Sequence, residues 1–367
     1  MERKTTIHDI ARELNTTAAT VSRALNDHPS ISKATKELVR KTATRLNYRQ
    51  NKLASSLRSG KTHTIGVIIP SAEISFFGSV VHGIERVARS KGYSVLLFQS
   101  NEDPDCEAEG IDALLQSKVD GIIASVAKET TRYDHYLEVK QRNIPLVLFD
   151  RVDDSLQVPS VVIDDYKGAY LATKHLLEQG YQRIAHISGQ QHIKIFNDRL
   201  RGYADALRAA GMPVEDDLIA YGKVSVDSGR DCALQLLENP MPPDAMVAVE
   251  DFTALGAMQA IKQKGLYMPE DIGLIGFANE AFSSYVTPSL STIDQQTIKM
   301  GEEAARLFIA LGKGKDNGQK HPGKIVLDPV LLIRESSRRA PAPAPRKPGK
   351  QSGSPGDVPR KPAPDKS

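Results

Sequence analysis

Tryptophan is absent from the 367 residues, aromatic residues make up 5% of them, and cysteine occurs twice, as Cys106 and Cys232. Two isolated thiols can build neither a disulfide framework nor a thiolate zinc site, so they read as ordinary reduced side chains. No apolar run approaches the ~20 residues a membrane span requires. The opening MERKTTIHDIARELN has no apolar core of the kind a secretory signal needs. The expectation is a cytoplasmic protein without membrane association. The nine histidines form no metal-spaced set, GKGK at Gly312 is too short for a phosphate loop and opens no helix, and no nucleophile elbow occurs. No catalytic residues, metal ligands or cofactors are expected, and an enzyme is the least supported class.

Charge is present but unevenly placed. The net charge is +3 over the whole chain, with thirteen Lys/Arg against five Asp/Glu through Thr62 and eight against two from Arg338 onward. The middle is left at −11. A basic head on an acidic body fits a module that meets polyphosphate joined to one that does not. The length is too great for one ordinary core and indicates two or three domains. Residues 338–367, rich in proline, glycine and charge, cannot bury a core and are expected to form a disordered basic tail. That tail either adds non-specific DNA affinity or is merely solvated.

Near the amino end, TIHDIARELNTTAATVSRALN places Ile7, Ile10, Ala11 and Leu14 on one helical face, then Val21, Ala24 and Leu25 on another after a break. Asn15 suits the left-handed end of the first helix, and Thr16 or Thr17 can cap the second. The outward side of that second helix carries Thr17, Ala18, Ala19, Thr20, Ser22 and Arg23. Small side chains allow deep entry into a major groove, hydroxyls bond phosphates, and arginine reads a guanine edge. A small helical bundle with a solvated polar face is the bland alternative. Ser32 caps a third helix from Lys33 to Leu46, whose Leu38, Val39, Thr42 and Leu46 close a three-helix core.

These residues, with SKATKELVRKTATRLNYRQNKLASSL, resemble the DNA-binding headpiece of the lactose/galactose repressor family without a gap from Thr6 to Leu57. The resemblance implies a helix-turn-helix headpiece over 1–50 and a hinge helix with linker over 51–62. It implies that Ala18 and Ala19 hold the specificity positions, and that Ile7, Thr17, Thr20, Ser22, Arg23, Asn26, Ser32, Thr35 and Tyr48 complete the DNA-contacting set. Ala18 and Ala19 are smaller than the pairs some members carry and can read little beyond a thymine methyl. More of the readout then falls to Arg23 and to DNA shape. In the hinge, Asn51, Ala54 and Leu57 recur at helical spacing, but so short a helix is marginal alone in water. By the resemblance it folds on DNA, pairs in the minor groove, and wedges Leu57 between base steps. A flexible linker also suits its composition.

From Ile65 the pattern changes to strand-sized apolar runs, IGVII, YSVLLF, VDGIIASV, IPLVLFD, VPSVVID, RIAHIS, AMVAV and DIGLIGF, separated by amphipathic helical segments. Alternation of that kind means an α/β fold with parallel sheets, and about 275 residues are enough for two. From Thr64 to Ser337 the chain also resembles the periplasmic-binding-protein-like, Rossmann-like core of the same family. That implies an effector-binding and dimerisation core over 63–337, with one subdomain of 63–162 and 291–322 and another of 163–290 and 323–337. Its crossovers would lie near Val162, Leu290 and Gly323, and its cleft at the carboxyl ends of the strands.

Asp150 follows a strand and Arg199 opens R-L-R-G-Y, and both match family positions that bond the effector. A carboxylate with a guanidinium can hold hydroxyls or an anion, or the two can simply pair with neighbours. Phe76 and Phe77 fall where relatives stack a ring on the ligand, although both also make sense as core. Three positions depart from the family pattern. Ala278 stands where an aspartate is usual, ahead of Asn279, Glu250 replaces an asparagine, and Val224 replaces an aromatic platform. A simple hexose is thereby weakened, and a phosphorylated, acidic or non-sugar ligand stays open. The reading is a transcriptional repressor that binds a pseudopalindromic DNA operator as a homodimer and answers to a small-molecule effector, a carbohydrate or a phosphorylated metabolite. The alternatives are an activator or corepressor-dependent regulator of the same fold, and, less well supported, a solute-binding receptor.

Overall fold

The computed structural model describes residues 5–48, 60–313 and 323–339. At the amino end, α1 (Ile7–Glu13), α2 (Ala18–Leu25) and α3 (Lys33–Arg45) enclose a small core of Ile10, Ala11, Val21, Ala24, Val39 and Ala43. Asn15 takes the left-handed backbone expected of it, at φ 49°, so the chain can turn between α1 and α2. Thr17 accepts a hydrogen bond from the backbone of Thr20 at 3.1 Å, and Ser32 accepts one from Thr35 at 3.2 Å, each capping its helix. Thr42 is buried with Val39, but Leu38 is 54% exposed. The spacing that placed Leu38 in this core put it one position off the buried stripe, and Ala43 fills the place instead.

The remaining chain builds two parallel sheets. The first is ordered β11-β5-β4-β3-β1-β2, from β1 (Thr64–Ile69), β2 (Ser94–Gln99), β3 (Gly121–Ala124), β4 (Leu146–Phe149), β5 (Ser160–Ile163) and β11 (Lys324–Leu327). The second is ordered β7-β6-β8-β9, from β6 (Ile184–Ser188), β7 (Ile219–Tyr221), β8 (Ala245–Ala248) and β9 (Gly273–Ile275). A short antiparallel pair, β10 (Thr292–Asp294) with β12 (Val330–Leu332), joins the second lobe. The central strands are buried on both faces, which is why they read as unbroken apolar runs rather than alternating ones.

Helices α4 (Ser75–Ser90), α5 (Pro104–Gln116), α6 (Asp134–Gln141) and α11 (Thr297–Lys313) cover the first sheet. Helices α7 (Asp165–Glu178), α8 (Lys194–Ala209), α9 (Val226–Leu237) and α10 (Asp251–Gln263) cover the second. α4 and α11 meet backbone to backbone, since a Cβ on Gly83 would stand 2.2 Å from the Ile298 carbonyl oxygen. Any larger residue there would push the two helices apart.

The chain passes between lobes three times, after Ile163, through Gln295 and Gln296, and after Leu327. The third passage is later than the position near Gly323 expected from sequence, because Lys324–Leu327 pairs in register with β5 and belongs to the first sheet. Likewise β10 pairs with β12 in the second lobe, so the second passage follows Asp294 rather than Leu290. Where the linker enters the first lobe, the backbone N–H groups of Thr62 and His63 donate to the Asp120 carboxylate at 2.7 and 3.1 Å. At the other end Arg339 stacks on the Tyr181 ring at 3.7 Å, so the first residues of the basic tail dock on the second lobe.

Candidate DNA-reading face and ligand cleft

The outer face of α2 presents Thr17, Ala19, Arg23 and Asn26 to solvent, with Thr20 and Ser22 half-buried beside them. Ala18 is half-buried and packs against the headpiece core, as do Ile7 and Tyr48. Of the two expected specificity positions, Ala19 is therefore the fully outward one. Thr17 and Thr20 hydroxyls lie 2.9 Å apart, and the Asn26 amide donates to the Ser22 carbonyl at 2.8 Å. Arg23 has no ion-pair partner among the described residues. Its neighbours in the headpiece are paired, Arg45 with Glu13 at 2.7 Å and Lys36 with Asp27 at 3.8 Å. Ser32 is exposed and Thr35 half-buried at the start of α3. Asn51, Ala54 and Leu57 of the expected hinge lie outside the described residues.

Between the two lobes lies a cleft of about 450 Å³. Phe76, Phe77, Asp150, Arg199, Val224 and Glu250 all line it, so sequence positions spread over 175 residues converge on one space. Asn279 does not line it. Its side-chain oxygen accepts from the Arg334 guanidinium at 2.8 Å, and its backbone N–H donates to the Thr292 hydroxyl at 3.2 Å. Ala278, which does line the cleft, takes φ 118°, a conformation rarely adopted by residues with a Cβ.

The cleft's charges are largely engaged with one another. Arg199 is 2% exposed, donates to Asp165 at 2.8 Å and to the Val249 carbonyl at 2.6 Å, and lies 3.7 Å over the Phe277 ring. Its role as a ligand contact is thus limited to what those bonds leave over. Glu250 accepts from the backbone N–H and hydroxyl of Thr253 at 2.8 and 3.0 Å, capping α10. Burial pushes its carboxyl upward, against the bonds from Thr253 and Phe252. Next to it, burial raises Asp251 to about 7, against hydrogen bonds from the Thr292 hydroxyl and the Glu280 backbone, both at 2.7 Å.

Asp150 differs from these. It is 6% exposed, sits at φ 59°, and no hydrogen bond reaches its carboxylate among the described residues. The nearest cation is the Arg151 Nε, 3.9 Å away. Burial raises the Asp150 carboxyl above its ordinary value, with Arg151 and Arg199 opposing. Arg151 pairs through Nη1 with Glu102 at 2.7 Å, but its Nε is a buried donor without a hydrogen-bond partner among the described residues, and the Gln295 side-chain oxygen in the same cleft is a buried acceptor without one. Phe76 and Phe77 meet edge to face at 5.0 Å, the second being almost wholly buried in the first lobe's core.

Sequence reasoning missed Glu280, Arg151, Phe252 and Gln295 as lining residues. Nothing local in the sequence distinguishes any of the four. A second cavity of about 660 Å³ adjoins the first, sharing Lys128, Asp150, Arg151 and Ile195, and is lined further by Asp165, Asp198 and Arg201. Among the described residues no cluster of His, Cys, Asp or Glu could hold a metal ion, and no helix is long and apolar enough to cross a membrane.

Comparison with known proteins places these two sites in context. Residues 6–51 match the model described as bacterial regulatory proteins, lacI family, and residues 62–322 match periplasmic binding proteins and sugar binding domain of LacI family. Catabolite control protein A of Priestia megaterium is 36% identical over 304 residues, covering 83% of this chain and 91% of that one. The HTH-type transcriptional repressor CytR of Escherichia coli (strain K12) is 33% identical over 341 residues, covering 93% and 98%. Among solved structures, the lac repressor dimer bound to operator and the anti-inducer ONPF superposes with a TM-score of 0.79 at 26% identity, over 92% of this chain and all of that one.

Proposed function

The chain belongs to the lacI family of bacterial regulatory proteins and is a DNA-binding transcription regulator, not an enzyme; from that premise we propose that it is a cytoplasmic repressor whose homodimer binds a pseudopalindromic operator. The face of α2 enters the major groove, where Arg23 contacts a base edge, Ala19 a thymine methyl, and Thr17, Thr20, Ser22 and Asn26 the adjoining edges and phosphates. Ser32 and Thr35 position the headpiece on the backbone, and Ile7 and Tyr48 brace it from the core side. Asn51, Ala54 and Leu57 form the minor-groove hinge. An effector in the cleft bonds Asp150 and stacks against Phe76, and its preference for one lobe arrangement alters operator affinity.

The observation that carries this reading is the outward Arg23, without an ion-pair partner among the described residues, on a capped helix whose other face is buried. Selection of random duplexes by the purified protein tests it. Enrichment of an inverted-repeat sequence, with affinity falling steeply as salt rises, is the expected result. Recovery of no sequence above background would reject operator binding. A repressor is favoured over an activator because relatives such as the CytR protein carry that description.

A further inference from the structure

Glu280 follows the second lobe's β9, yet its carboxylate bonds to the first lobe. It accepts from the Ser75 hydroxyl and from the Phe76 backbone N–H at 3.2 Å, at the amino end of α4. The side chain is 4% exposed. Its own backbone N–H is held by Asp251 at 2.7 Å, and its carbonyl accepts from the Ser283 hydroxyl at 2.7 Å, so the carboxylate is presented from a fixed platform. The amino end of a helix carries unsatisfied N–H groups and positive partial charge, and is where an anionic ligand group would bind. In this cleft that place is filled by the protein's own anion. The amino ends of α9 and α10 are filled as well, by the Ser225 hydroxyl and the Glu250 carboxylate.

What the cleft leaves free has a different character. The Asp150 carboxylate, 6% exposed and without a hydrogen bond among the described residues, and the Gln295 oxygen both seek donors. The Arg151 Nε seeks an acceptor and lies 3.9 Å from Asp150. One hydroxyl can donate to Asp150 and accept from Arg151 at once, which a carboxylate or a fully ionised phosphate group, having no proton to give, cannot do. The cations that line the cleft are otherwise engaged, Arg151 through Nη1 with Glu102 at 2.7 Å, Lys128 with Glu102 at 3.6 Å and Arg199 with Asp165 at 2.7 Å, which leaves the Arg151 Nε as the free donor among the described residues.

We propose that Glu280 is a specificity-determining latch: its carboxylate ties the two lobes together without a ligand, and by occupying the amino end of α4 it turns away phosphorylated and carboxylated molecules in favour of uncharged, hydroxyl-bearing ones. The inference rests on the reading of this cleft as the effector site and narrows the ligand class within it. The effector adds its bonds at Asp150, Arg151 and Gln295, beside Glu280.

The test uses the full-length chain and inorganic phosphate as probe, read by calorimetry, with small-angle scattering reporting lobe closure. Wild type is expected to show no saturable phosphate binding. Glu280→Ala is expected to bind phosphate at least tenfold more tightly than wild type, and to have a larger radius of gyration in phosphate-free buffer. Should Glu280→Ala not fold, Glu280→Gln decides. It keeps the reach to Ser75 but removes the charge, and is likewise expected to gain at least tenfold in phosphate affinity. Equal phosphate binding by wild type and the variant that folds overturns the proposal, as does an unchanged radius in a folded Glu280→Ala. Operator binding of the same preparations, measured separately, tests the regulator reading without touching this one.

Discussion

The headpiece and the cleft use charge in opposite ways. On α2 the one guanidinium points outward without an ion-pair partner among the described residues, available to a duplex. In the cleft, Arg199 is buried and bonded to Asp165 and Val249, and Glu250 and Glu280 cap helices of their own chain. A face that reads DNA must keep its donors free until the duplex arrives, since the polyphosphate replaces water for them. A cleft that must exist before its ligand has to satisfy most of its charges internally, because an unpaired buried charge costs several kcal/mol. Few groups are then left for the ligand, and those few set its chemistry.

The largest break in this contrast comes from Arg199→Ala. It strands the Asp165 carboxylate in a buried place and is expected to cost about 3–5 kcal/mol, seen as a large drop in the core's urea midpoint. A loss no greater than that of a surface substitution would mean the cleft's pairs do not hold the fold.

Next comes the pH dependence of the same region. Asp251 titrates at about 7 in the folded chain against an ordinary 3.8, so the folded state retains a proton that the unfolded state has released. That contribution to stability is complete below the ordinary value and is lost as pH rises through about 7. Asp165, also pushed up to about 7 by burial, adds a decline over the same range, so the melting temperature of wild type should carry both and Asp251→Asn should reduce the fall without abolishing it. A decline of the same size in both proteins would place its origin elsewhere.

Arg23→Ala sharpens the contrast from the other side. Loss of one base-edge contact is expected to cost about 1–3 kcal/mol of operator discrimination, with the thermal melt unchanged. Smallest is Ser32→Ala, which removes the cap of α3 and should lower headpiece stability by about 1 kcal/mol, read by amide exchange in α3. If Arg23→Ala melted early while Ser32→Ala abolished binding, the division of labour would be reversed.

These differences also decide what the sequence could disclose. The headpiece was legible because its helices, caps and outward residues lie within forty residues of one another. Asn15, Thr17 and Ser32 behave as their types and positions demand. The principal strands were legible because burial on both faces makes them continuous apolar runs. The three-residue strands β7, β10 and β12 were not, since Ile219–Tyr221, Thr292–Asp294 and Val330–Leu332 are too short to carry a pattern of their own and are fixed by tertiary pairing. Leu38 shows the limit of periodicity, since a spacing argument fixes a stripe only to within one position. In the cleft, Asp150 and Arg199 were found through their family positions, but their partners were not. Glu280 meets Ser75 across 205 residues of chain, and no local pattern carries such a pairing. Asn279, adjacent to Glu280, points away to Arg334 instead.

The chain's three passages between lobes bear on how the protein is made. Neither lobe is a continuous piece of polypeptide, and the strand Lys324–Leu327 that borders the first sheet is among the last segments of the core to be synthesised. At roughly 5–20 residues per second on the ribosome, the amino-terminal reader, with its own small core, emerges well before its gate can close. For that interval the cell holds a nascent DNA-binding module with nothing yet to govern it.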